Sequence, residues 1–107
     1  MTKRILSGLL AGGLAALSMA AVAEGDAAAG RTAAETCLGC HAVEGYFNVY
    51  PTYHVPKVGG QSAAYIESAL KAYRDGGRKH DTMNANAANL SDQDIANIAA
   101  FFASQGK

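Results

Sequence analysis

"TCLGCHAVEGYFNVYPTYH", residues 36–54, holds both cysteines of the chain, Cys37 and Cys40, with His41 directly after the second. Two thiols and an imidazole within five residues are a dense set of reactive side chains. Three chemistries use such a set: a disulfide, a metal site, and covalent attachment of a prosthetic group.

Composition limits the choice. The 107 residues suit one small domain, half of it apolar, with no long charge run and no low-complexity tract. Residues 1–23 read as a secretory signal peptide. Lys3 and Arg4 form a basic start, residues 5–17 an apolar stretch, and Ala21-Val22-Ala23 fits the small-residue cleavage rule. A membrane-spanning helix needs about 20 apolar residues, and Gly8, Gly12 and Gly13 interrupt this one.

Cleavage after Ala23 and export to the periplasm would leave residues 24–107 as the working domain, with seven cations against nine anions. That balance argues against nucleic acid as a partner. A chain of this size buries only about 60–65% of its unfolded surface, so a further source of stability is expected.

A disulfide is the ordinary reading of two cysteines in an exported protein, and thiol oxidoreductases use a C-x-x-C pair. Their scaffold needs a strand before the pair, whereas residues 26–36 are alanine-rich and read as helix. Zinc would have three ligands here, two of them adjacent at 40 and 41, and no second C-x-x-C completes a tetrahedron. C-x-x-C-H remains as a haem attachment site. Two thiols at this spacing add across the vinyl groups on one side of a porphyrin, and the next residue turns its imidazole under the iron. The flat apolar macrocycle also supplies the core that so short a chain lacks.

Iron held by one histidine has a sixth position to fill. Met1 and Met19 leave with the signal peptide, so Met83 is the remaining methionine, 42 residues after His41. Its surroundings, "RKHDTMNANAANLSD" over residues 78–92, are polar and show no helical apolar periodicity before Ile95. A core-filling methionine would sit on an apolar stripe instead. His54 and His80 are the other donors, and His80, three residues before Met83, is the stronger rival.

Cys37-Leu38-Gly39-Cys40-His41, then Val55-Pro56-Lys57-Val58-Gly59-Gly60-Gln61, then Met83 followed by Leu90-Ser91-Asp92 resemble a class I cytochrome c of the small bacterial type. The resemblance covers nearly all of residues 24–107. It implies an all-α fold, three to four helices wrapped around one covalent haem c. Cys37 and Cys40 would carry the thioethers, His41 and Met83 the iron, with Met83 delivered by a loop. The Pro56 carbonyl would accept a hydrogen bond from the non-ligating nitrogen of His41.

Such a protein is a periplasmic single-electron carrier, not an enzyme. Its donors and acceptors are redox proteins, with transient contact to membrane-bound respiratory complexes. Two other functions use the same residues: a haem-bearing subunit of a larger dehydrogenase, and an open-site haem protein with ligand-binding or peroxidase activity.

The family's elements have counterparts along the chain. Residues 26–36 suit the first helix, with Gly30 where a closing helix comes near. Ser62 caps a middle helix that carries Tyr65, Ile66, Ala69, Leu70 and Tyr73 on one face and ends at Gly76-Gly77. Ser91 with Asp94 resembles a capping box, followed by Ile95, Ile98, Ala99 and Phe102 as a buried stripe.

The departure from the family is the aromatic run Tyr46, Phe47, Tyr50 and Tyr53, expected to cover the haem edge or a lengthened proximal loop rather than to form a docking patch. His54 is expected on the proximal side as a surface or loop residue, and Arg78 and Lys79 are expected to face solvent.

Overall fold

The computed structural model describes residues 24–106 together with Gly8, Gly12 and Gly13. The signal-peptide reading therefore falls almost wholly outside the described residues. Five helices and one short hairpin follow in chain order: α1 (Ala27–Ala33), α2 (Glu35–His41), β1 (Phe47–Asn48), β2 (Tyr53–His54), α3 (Ala63–Asp75), α4 (Asp81–Ala87) and α5 (Asp92–Ser104). The fold is all-α in character, with more helical segments than the three to four expected, because two of the expected elements divide differently.

The first difference lies at the start. The Asp26 carboxylate accepts from the N–H groups of Ala28 and Ala29 and so caps α1. The helix then breaks at Ala34, where ψ rises to 4°, and restarts as α2, which carries the whole of Cys37–His41. The second concerns Met83. It lies in the first turn and a half of α4 and not in an irregular loop, and α4 is held by caps and side-chain tethers in the absence of an apolar stripe.

The other local signals appear as read. Ser62 Oγ accepts from Tyr65 N, and α3 stops at Gly76, whose φ of 84° is a left-handed conformation that glycine adopts without strain. At α5 the Ser91 hydroxyl accepts from Asp94 N while the Asp94 carboxylate accepts from Ser91 N, both at 3.0 Å, a complete capping box.

α1 crosses α5 with the two backbones in contact. A Cβ at Gly30 would run into the Asn97 carbonyl, and one at Gly25 into that of Ala96. Asp26 N donates to Asn97 Oδ1 and Gln93 Nε2 to the Glu24 carbonyl, which staples the entry strand along α5.

α3 packs on the same helix, and the core forms between them from Ala34, Ile66, Leu70, Ile95, Ile98, Ala99, Phe101 and Phe102. Arg74 fastens the far ends together by donating to Asp75, to Asp92 and to the Leu90 carbonyl. Among the described residues no helix is long and apolar enough to cross a membrane.

Candidate functional site

A cavity of about 420 Å³ opens between these elements, within the range of sites that take a cofactor. Its walls bring together residues from α2, β2, the segment after β2, α3, α4 and α5, among them Cys37, Cys40, His41, Pro56 and Met83. Five residues singled out from three separate stretches of sequence thus border one space. Apolar side chains, chiefly Val58, Ile66, Leu70, Ile98 and Phe102, make up much of the rest.

α2 sets the spacing of the reactive groups. Cys37 and Cys40 are three residues apart and His41 four from Cys37, so one turn of helix presents all three along neighbouring directions. Both thiols are free and half-buried. Burial pushes the Cys37 thiol above its usual range, opposed by a hydrogen bond with Thr36 and reinforced by Cys40. The direction is the reverse of the lowered value found in thiol oxidoreductases. Among the described residues no three His, Cys, Asp or Glu side chains converge as ligands for a bare metal ion.

His41 Nδ1 lies 2.8 Å from the Pro56 carbonyl oxygen. A carbonyl only accepts, so Nδ1 carries the proton and Nε2 keeps its lone pair. The acceptor is held at both ends of its segment: Val55 N donates to the Tyr46 carbonyl, and Gly60 N to the Phe102 carbonyl at the end of α5.

Met83 packs half-buried against the core cluster. The helix that carries it is tied on two sides. Asn84 donates to the carbonyls of Tyr73 and Arg78 and accepts from His80 N. On the other side Tyr53 Oη and Thr82 Oγ1 are 2.8 Å apart. His80 caps α4, its Nδ1 accepting from Met83 N at 3.4 Å, with its ring edge-on to Tyr53. The rival donor is thereby engaged with the backbone of Met83 itself.

Two expectations change. Of the four aromatics only Tyr53 lines the cavity; Phe47 is 59% exposed and packs on His54, and Tyr50, at the hairpin turn, is 92% exposed. The polar Asn48 and Thr52 side chains close that turn by bonding to main-chain carbonyls, which leaves its aromatic residues outside. Arg78 is exposed, as expected, and also borders the cavity, with its guanidinium 4.8 Å over the Tyr73 ring. Asn84 lies in α4, where a loop was expected to deliver Met83, and nothing in its spacing signals that it joins α4 to α3.

The donor set suits one cofactor: two thiols at C-x-x-C spacing, an imidazole with a lone pair to give, and a largely apolar cavity. Residues 27–106 match the family model for cytochrome c. The chain belongs to the cytochrome c family.

It is 50% identical over 84 residues to cytochrome c-554(548) of Halomonas halodenitrificans, which covers 76% of this chain and 98% of that protein. Cytochrome c4 of Pseudomonas aeruginosa is 43% identical over 105 residues, covering 98% of this chain and 49% of the relative. The crystal structure of reduced recombinant cytochrome c4 from Pseudomonas stutzeri superposes with a TM-score of 0.59 at 29% identity, over 78% of this chain and 51% of that one. The chain spans about half the length of the cytochrome c4 relatives it matches. Membership of the family makes the cofactor a covalent haem c, and the C-x-x-C-H spacing of residues 37–41 agrees with it.

Proposed function

We propose that this chain is a periplasmic single-electron carrier, residues 24–107 being the haem domain left after cleavage of residues 1–23. Cys37 and Cys40 bond the porphyrin through thioethers, and His41 and Met83 hold the iron. The observation that carries this reading is the shared cavity, which His41, its Nδ1 committed to Pro56, and Met83, the remaining thioether donor, both border.

Bound haem c supplies a one-electron iron couple. His41 and Met83 would both hold the iron, which leaves no open position for a substrate and favours a carrier over an enzyme. The Pro56 carbonyl orients the imidazole and strengthens it as a donor. Val58, Ile66, Ile98 and Phe102 would give the macrocycle an apolar surrounding that excludes water. Redox proteins serve as donor and acceptor, through small transient interfaces of the kind electron-transfer encounters use.

Optical spectra of the oxidised and reduced protein test the ligand set. The oxidised form is expected to show the weak near-infrared sulfur-to-iron band, and Met83→Ala to lose it. A low-spin spectrum without that band, unchanged by Met83→Ala, would transfer the sixth position to His80; a high-spin wild type would turn the reading toward an open ligand-binding site.

A further inference from the structure

The hairpin and the helix that bears Met83 meet through one side chain. Tyr53 Oη is 2.8 Å from Thr82 Oγ1, a bond that joins positions 29 residues apart. The Tyr53 ring stands at 83° to that of His80 with centroids 4.6 Å apart, an edge-on aromatic contact. His80 Nδ1 in turn accepts from Met83 N. Tyr53 therefore touches Thr82, beside Met83, and His80, the cap of Met83's own helix.

α4 needs such support. It is a seven-residue helix with a single buried residue, Ala87, and a helix of this length is unstable in isolation. Asn84 ties it to α3 and the 76–80 turn, while Tyr53 supplies its tie to the hairpin. Tyr53 is also the one member of the aromatic run that lines the cavity.

We propose that Tyr53 is a positioning residue for Met83, a clasp that holds the first turn of α4 through Thr82 and His80 and so slows release of the thioether from the sixth position. The proposal rests on the His41/Met83 reading. Opening of α4 requires the Tyr53–Thr82 bond to break, and an external donor enters only through the opened form. The clasp then governs how often the closed site admits a foreign ligand while leaving the ligand set itself unchanged.

Imidazole binding to the oxidised holoprotein reads this directly. The limiting rate at saturating imidazole, followed as loss of the sulfur-to-iron band, reports release of Met83. Tyr53→Phe deletes only the hydroxyl, and the limiting rate is expected to rise about three- to ten-fold, the worth of one hydrogen bond. Thr82→Val is expected to do the same, and the double variant to gain no more than either single change, since both remove one bond.

Each variant should keep the band before mixing, which shows the ligand set intact. An unchanged rate in Tyr53→Phe, or effects that add in the double variant, would overturn the clasp. A wild-type protein without the band would instead overturn the Met83 reading and the clasp with it.

Discussion

His41 donates from Nδ1 to the carbonyl oxygen of Pro56 at 2.8 Å, across fifteen positions of chain that include the whole aromatic hairpin. The contact fixes the tautomer of the imidazole and the direction in which Nε2 points. Because the acceptor belongs to the main chain, it depends on where residues 55–60 run and not on the side chain at position 56.

Pro56→Ala should therefore keep the ligand set. The expected cost is that of a less restricted unfolded chain, about 0.4–1 kcal/mol, read as a lowered denaturant midpoint with an unaltered low-spin spectrum. Loss of that spectrum in Pro56→Ala would show that the pyrrolidine ring, and not the carbonyl, holds His41 in place.

Gly30 presents a harder constraint. A Cβ there would meet the Asn97 main-chain carbonyl and, behind it, the Cβ of Phe101, and neither can rotate away as a flexible side chain would. Gly30→Ala must push α1 off α5, at a cost of about 1–3 kcal/mol or more. The gain in helix propensity from alanine, roughly 1 kcal/mol, acts in the opposite direction. Thermal unfolding decides: a net loss of stability is expected, whereas a neutral or stabilised variant would mean the helices have room to separate.

The parts of this fold that could be read from residues are those set by local chemistry. Ser62, Gly76 and the Ser91–Asp94 pair act within one turn of their own helices, so the sequence alone marks α3 and α5. The helical course of Cys37–His41 has no such mark, since cysteine, glycine and histidine are poor helix formers; packing of α2 beside the cavity overrides propensity.

α4 is hidden for a related reason. Its stripe is polar, and it is held by its own cap His80, by its own Asn84 reaching out to α3, and by Tyr53 from 29 residues back along the chain. The motif residues of the site were legible because C-x-x-C-H is short and contiguous. The Pro56 carbonyl was implied by the family resemblance. The supports of Met83 were not legible, because the bonds of Asn84, His80 and Tyr53 leave no pattern in the sequence.

Asn84 offers a direct measure of those supports. Its amide donates to two carbonyls at 2.8 Å and its oxygen accepts from His80 N at 2.9 Å. Asn84→Ala removes all three bonds, with an expected loss of about 2–3 kcal/mol. Asn84→Asp keeps the bond from His80 N but turns an acceptor toward the carbonyls of Tyr73 and Arg78. It should be no better than alanine in the denaturant midpoint; a near-wild-type aspartate variant would show that the two donor bonds contribute little.

Acid should weaken the α5 end of the molecule through two carboxylates. Asp92 is held below the usual carboxylate range chiefly by the hydrogen bond from Arg74, with the Arg74 charge adding and Lys71 assisting. Asp94 is held below it chiefly by the Ser91 main-chain N–H, with the Ser91 side chain adding. For a group whose folded value is lowered, the stabilisation is present in full above the unfolded value, about 3.9, and is lost as pH falls through the folded one.

Urea midpoints are therefore expected to show no contribution to pH dependence from these groups between about pH 5 and 7, then to fall below about pH 4. Asp94→Asn should lower the midpoint at neutral pH and reduce the fall on acidification, so that its curve and the wild type's converge as pH drops through the lowered folded value. A constant gap between the two curves at every pH would mean that the amide loses packing or helix propensity alone, and that the charge on Asp94 does not support the cap.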